Sequence, residues 1–240
     1  YDALPTNARD AFVQLVLHPV EACANLNDLY VTAGKNALYA DQGRASTNEL
    51  ADRAEELFAN DAALTARYHQ LAGGKWDHMM EQTHIGYTSW DPPATQTMPA
   101  VRRITVPSAA ALGVAIEGSA TAWPGSATDP VLDELTPYYP EETRTHHVFN
   151  RGQNAFDFTA RAREPYVTVT PSAGTVTTET RLSVAVDWSA APPGENTVPI
   201  DITGPNATTV TVQATVNNPR EPTPAAVTGV GEGGGEGSVE

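Results

Sequence analysis

Residues 182–216 read LSVAVDWSAAPPGENTVPIDITGPNATTVTVQATV, and this stretch decides the fold class. Leu182, Val184, Val186 and Trp188 alternate with Ser183, Ala185 and Asp187. After the turn-forming Pro192-Pro193-Gly194 come Val198, Ile200 and Ile202, and beyond Gly204-Pro205-Asn206 come Val210, Val212, Ala214 and Val216. A period of two puts one apolar row on one face of a strand, so the pattern predicts three strands joined by short turns in an antiparallel meander. Working back along the chain, Val101–Val106, Val114–Gly118, His147–Asn150, Phe156–Ala160 and Tyr166–Thr170 are further candidates. About eight strands with regular turn signals predict a two-sheet, immunoglobulin-like β-sandwich over 97–217. The stretch 124–145, with prolines at 124, 130, 137 and 140, reads as a long connection.

The composition changes near residue 95. Upstream, Ala, Leu, Asp and Glu dominate, which is helix chemistry, while Val, Thr, Pro and Gly dominate downstream. Five helical stretches are expected over 1–91: Thr6–Leu17; a second from Pro19 to Gln42; a third from Ser46, where Ser46 and Glu49 have capping-box spacing; a fourth from Asn60-Asp61 to the Gly73-Gly74 stop; and a short fifth from Trp76 to Gln82. Short loops between them predict an antiparallel helical bundle. The expected organisation is thus α + β and multidomain: helical bundle 1–91, sandwich 97–217, and a Pro/Gly/Glu-rich flexible linker 218–240.

With 40% hydrophobic and 18% charged residues, the 240-residue chain can build a core. A net charge of −15 argues against nucleic acid and anionic membrane as partners. No apolar stretch approaches the ~20 residues of a membrane span. The only cysteine is Cys23, which excludes an internal disulfide and a thiolate metal site; among Ala22, Ala24 and Leu26 it reads as an inert buried thiol. Because the chain opens on Tyr1 rather than Met, its natural beginning is expected to lie upstream.

Chemistry-bearing residues are few. Trp76, His78, His84, Tyr87 and Trp90 could stack on and grip a sugar, although such aromatics equally seal a helix against its neighbours. His78 and His84 lack the i, i+4 spacing of a helical zinc site, and His146 and His147 point to opposite faces of a strand, so no metal is expected. Asp52, Glu55-Glu56 and Glu141-Glu142 are carboxylates without a mark of glycosidase pairing, and the helical ones read as solvated surface. No GxSxG elbow occurs, and the glycines at 232–237 lack the strand and helix that a phosphate loop needs. No catalytic residue and no cofactor is assigned. Trp123, Tyr138 and Tyr139 are the aromatics through which the sandwich could act as a carbohydrate-binding module.

Longer motifs carry a resemblance. ALPTNARDAFVQLVLHPVEACANLNDLYVTAGKNALYADQGRAS, LAGGKWDHMMEQTHIGYTSWDPP and MPAV, followed by VAIEGS, VFNRG, FDFTAR and AVDWSAAPPGE, closely resemble glycoside hydrolase family 115, the xylan α-1,2-glucuronidases, across 1–217. The resemblance implies the helical domain and the first immunoglobulin-like part of such an enzyme, without its (β/α)8 catalytic barrel. It implies an accessory region that buttresses that barrel in the same polypeptide, inactive alone in removing glucuronic or 4-O-methylglucuronic acid from xylan. It also implies secretion, given a polymeric substrate. Oligomerisation is compatible with all of this. A buttress should expose a large apolar patch on its helices.

Overall fold

The computed structural model describes residues 1–138 and 144–219. The chain begins with one helix of 37 residues from Thr6 to Gln42, ~55 Å long at 1.5 Å per residue. It comprises α1 (Thr6–Phe12), a π-helical turn (Val13–Leu17) and α2 (His18–Gln42), all in right-handed geometry across their junctions. Pro19 does not separate two helices as expected. Its ring falls in the first turn of α2, where the missing N–H costs least, and the wider π turn before it absorbs the steric demand. Gly43, at φ 67°, takes the left-handed C-cap position and ends the helix.

Antiparallel to it runs α3 (Thr47–His69), linked across by Asn25 Nδ2 donating to the Leu57 carbonyl at 2.9 Å. Asn60-Asp61 does not break α3, and a short α4 (Leu71–Gly74) follows, distorted by left-handed Ala72 and Gly73. Residues 76–82 form turns rather than a fifth helix. The expected bundle is therefore a two-helix hairpin: Ala54 and Leu57 of α3 close on Leu29 of α2, and Ile85 from the following segment replaces a third helix in that core. The expected capping box is absent too, since Ser46 makes no side-chain cap, whereas the Thr47 hydroxyl donates to the Arg44 carbonyl at 2.7 Å. Cys23 is exposed, not buried, because its face of α2 points away from α3.

Residues 98–106 are not the expected strand. They lie along the hairpin as a strap held by two asparagines. Asn36 donates to the Arg102 carbonyl and accepts from the Arg102 N–H, at 2.8 and 2.6 Å. Asn48 does the same for Ile104, at 3.0 and 2.9 Å. Alternate strap residues thereby gain the backbone bonding a neighbouring strand would give.

Ten strands follow: β1 (Leu112–Ile116), β2 (Ala122–Trp123), β3 (Val131–Leu135), β4 (Arg144–Asn150), β5 (Phe156–Ala162), β6 (Val167–Thr170), β7 (Ala173–Val176), β8 (Glu179–Val186), β9 (Gly194–Thr203) and β10 (Thr209–Asn218). They form two five-stranded sheets, β2-β1-β4-β8-β6 and β3-β10-β9-β5-β7, whose inner faces share one core. All pairings are antiparallel except β3 with β10. The chain is α + β, with the two-sheet architecture an immunoglobulin-like sandwich requires. The predicted meander holds only for β9 and β10. β8 lies in the other sheet, and the loop carrying Pro192-Pro193 crosses between layers, pinned by Asn218 Nδ2 donating to the Trp188 and Ala191 carbonyls.

Gly113 is a strand glycine with a packing reason. A Cβ there would come within 2.2 Å of the Phe149 ring, which is fully buried. Gly113→Ala should cost about 1–3 kcal/mol, the range for overpacking, as measured by urea unfolding. An unchanged midpoint would mean that the ring moves freely.

The hairpin joins the sandwich through Arg44, whose side chain is 4% exposed. Its guanidinium bonds to Glu179 and to the Gln42 side chain, and it sits 4.1 and 4.2 Å from the ring centres of Tyr39 and Phe149. The Tyr39 hydroxyl donates to the same Glu179 at 3.0 Å, and burial, only partly opposed by Arg44, pushes its pKa up to about 12. The Ala45 N–H donates to the Asn150 carbonyl at 2.8 Å, and Arg151 reaches back to the Gln42 carbonyl at 3.2 Å. Among the described residues, no helix is long and apolar enough to cross a membrane.

Candidate functional site

Two surface features of the hairpin stand out, a cavity and a stripe. The inward face of α3 runs Ala54, Leu57, Asp61, Leu64 and Tyr68, so the helical period carries one acid into an apolar row. Asp61 is 5% exposed, and its carboxylate accepts from His84 Nε2 at 2.8 and 2.9 Å. His84 Nδ1 lies 3.0 Å from both the Gln82 carbonyl and Gln96 Nε2. Burial depresses the His84 pKa, but the Asp61 hydrogen bond, the Gln82 carbonyl and the Asp61 charge together outweigh it and raise it above its ordinary value. With both ring nitrogens engaged, the pair clamps the 82–96 segment onto α3 and leaves no free nitrogen for proton transfer.

Beside this clamp is a cavity of about 400 Å³ between the hairpin and residues 79–87. Ala22, Leu64, Met79, Met80 and Tyr87 give it mainly apolar walls, and His18 contributes a polar wall group. His18 is 7% exposed, its Nδ1 is sealed from water without a partner, and its ring packs on Tyr68 with centroids 4.7 Å apart. Burial, and after it the Arg67 charge, lowers the His18 pKa, so the ring stays neutral near pH 7.

Of the aromatic cluster read from sequence, only His84 and Tyr87 line this cavity. Trp76 does not, and its face takes Lys75 at 4.9 Å. Exposed His78 pairs with Glu81 and Asp77, which raises its pKa, and Trp90 is 97% exposed. The aromatic row on the sandwich does not form among the described residues. Trp123 is core, its indole N–H donating to the Thr128 carbonyl at 2.5 Å, while Tyr138 is exposed. Tyr139, Glu141, Glu142 and residues 220–240 of the expected linker lie outside the described residues, while Asn218 ends β10 instead of opening the linker. Asp52 and Glu55 pair with Arg103, and Glu56 with Arg53, all on the surface as expected. Among the described residues no three His, Cys, Asp or Glu side chains cluster as a metal site would need.

Carboxylates do line a second groove, of about 520 Å³, but Glu21 and Asp28 there are each closed by an arginine, Arg67 and Arg53. Sequence reasoning passed over His18 and Asp61. The signal was present in each case: an ionisable residue standing at an inward helical position.

On the opposite face of the long helix, Leu15, Val16, Val20 and Val31 are 72, 47, 63 and 59% exposed. Val16, Val20, Cys23, Asn27, Val31 and Gly34 recur at spacings of three and four, which makes an uncharged outer stripe some five turns long.

No family model matches the chain, and no curated protein matches it. Solved structures share partial likeness. The periplasmic chaperone SfaE aligns over 45% of this chain and 58% of its own at 10% identity and TM-score 0.34. The E. coli chaperone DraB aligns over 45% and 54% at 16% identity and TM-score 0.32, and a Bacteroides ovatus GH5 xyloglucanase over 43% and 18% at 9% identity and TM-score 0.29. The chain thus spans little more than half the length of these chaperones, and scores this low assign no activity.

Proposed function

We propose that this chain is a non-catalytic accessory region of a xylan α-glucuronidase, whose long helix packs its outer stripe against the (β/α)8 barrel of the same polypeptide. The stripe is the observation that carries this reading. Exposed Val16, Val20 and Val31, with Cys23 and Asn27 between them and Leu15 beside Val16, form an uncharged stripe that a free-standing helix would cover or punctuate with charge. The resemblance of the chain's motifs to family 115 supports the barrel as the partner. In the clefts of the hairpin, carboxylates are bonded to histidine or arginine instead of facing each other across a substrate-sized gap.

Val16→Asp, Val20→Asp and Val31→Asp together test it. In the chain alone these side chains are about half or more exposed, and each change should alter stability by less than about 0.5 kcal/mol. In the polypeptide that includes the barrel, they should lower the unfolding midpoint and the release of glucuronic acid, because buried charges would lack partners. Full-length stability equal to that of the unaltered protein would end the packing reading. So would release of glucuronic acid from glucuronoxylan by the chain alone, and retardation of the chain in glucuronoxylan gels would instead favour a binding module.

A further inference from the structure

The cavity beside the Asp61–His84 clamp has the features of a binding site, and it is independent of the stripe. His18 is more than nine-tenths buried on its wall, its Nδ1 has no partner, and no hydrogen bond of its other ring nitrogen is formed among the described residues. Buried imidazoles left unbonded are uncommon, because a buried polar group without a partner keeps its full desolvation penalty. Nδ1 is sealed, but Nε2 is unbonded without being sealed, so Nε2 is the atom of this ring that a visitor's polar atom can meet. We infer that this cavity binds a neutral aromatic ring bearing one hydroxyl, a phenol, whose hydroxyl meets His18 Nε2.

Each part of that ligand follows from the lining. Met79 and Met80 offer thioethers, which favour aromatic rings, and Leu64 and Ala22 add aliphatic contact. Tyr87 supplies a further ring at the mouth, where Tyr87 and Met79 are 43 and 59% exposed and so free to adjust. The ligand is neutral because Asp61 and His84, an ionisable pair on the wall, already bond each other and leave no partner for a charged visitor. It carries one hydroxyl rather than many because most polar wall groups are already paired: Thr83 donates to the Pro93 carbonyl and Asp61 and His84 bond each other, which leaves Thr65 and Gln82 beside His18. A sugar would bury several hydroxyls against methyl and thioether groups without partners. The size fits as well, since about 400 Å³ lies at the small end of ligand pockets.

A free phenol and a tyrosyl side chain share this chemistry, and titration separates them. The chain is titrated with p-cresol, toluene, N-acetyltyrosinamide and xylose, following the histidine ring resonances by NMR. p-Cresol should bind about tenfold more tightly than toluene, the worth of one buried hydrogen bond. In His18→Phe, which keeps the ring against Tyr68, the two should bind alike at the toluene level. If that variant does not fold, the cresol-to-toluene ratio of the unaltered chain still decides. N-acetyltyrosinamide binding as well as p-cresol identifies a tyrosyl side chain as the source, and cresol binding alone identifies a free phenol. No saturable shift with millimolar p-cresol, equal affinity for cresol and toluene, or a response to xylose without one to cresol would each overturn the inference.

Discussion

Replacing Arg44 with alanine is expected to cost about 3 kcal/mol and to uncouple the hairpin from the sandwich. Breaking a buried ion pair by removing one partner costs about 3–5 kcal/mol, and the lower end applies because Glu179 keeps 30% of its side-chain surface in water. The guanidinium also holds the Gln42 side chain and fills the space between the Tyr39 and Phe149 rings, so alanine leaves a void lined by aromatic faces. Urea unfolding followed by far-ultraviolet circular dichroism and by amide exchange should show two transitions where the unaltered chain shows one. Arg44→Lys keeps the charge but loses the planar fork and the stacking, and should fall between the two. A single, unshifted transition in Arg44→Ala would show that the remaining contacts, such as Ala45 to Asn150, hold the parts together on their own.

The second large effect is on acid stability. His146 lies on the inner face of β4, between Ile116 of β1 and Leu182 of β8, and is fully buried with neither ring nitrogen hydrogen-bonded. Burial, and after it the neighbouring His147, lowers its pKa from 6.5 to about 4. The unfolded chain therefore binds a proton that the folded chain refuses between those two values. Stability from this group is complete above about pH 6.5 and falls as the pH drops toward 4, by about 3 kcal/mol in all. His147, also lowered chiefly by burial, adds to the same slope. Replacing His146 with leucine should flatten most of that limb while leaving stability at pH 7 equal or about 1 kcal/mol higher, since an unbonded N–H leaves the core. Urea midpoints across pH 4–7 read both effects, and an unchanged acid slope in His146→Leu would remove this histidine from the account.

Much of the sandwich was legible because its central strands alternate. Leu182 and Val184, then Val198, Ile200 and Ile202, then Val210, Val212, Ala214 and Val216, all enter the shared core as their period demands. The edges were silent. β2 is two residues long, β3 follows the burial of its neighbours without strict alternation, and β7 buries only Val176, so no periodic signal marks them. Sheet membership was also beyond periodicity, which locates β8 but not the layer it joins. In the helical half, Pro19 and Asn60-Asp61 read as breaks because propensity describes isolated segments. In the fold a π turn accommodates the proline, and His84 satisfies the aspartate. The cavity needed residues from α2, α3 and the 79–87 turns brought together, a meeting that local patterns do not encode. For the same reason Trp123 read as a surface aromatic although it is core.

The strap has a consequence for inheritance. Buried Asn36, which also bonds the Thr47 carbonyl, and half-buried Asn48 turn their amides to Arg102 and Ile104, so a gene fragment ending near residue 97 would encode helices stripped of these partners along a seam. Recombination at that point would be selected against, and the hairpin should travel between genomes only together with the stretch that stitches it shut.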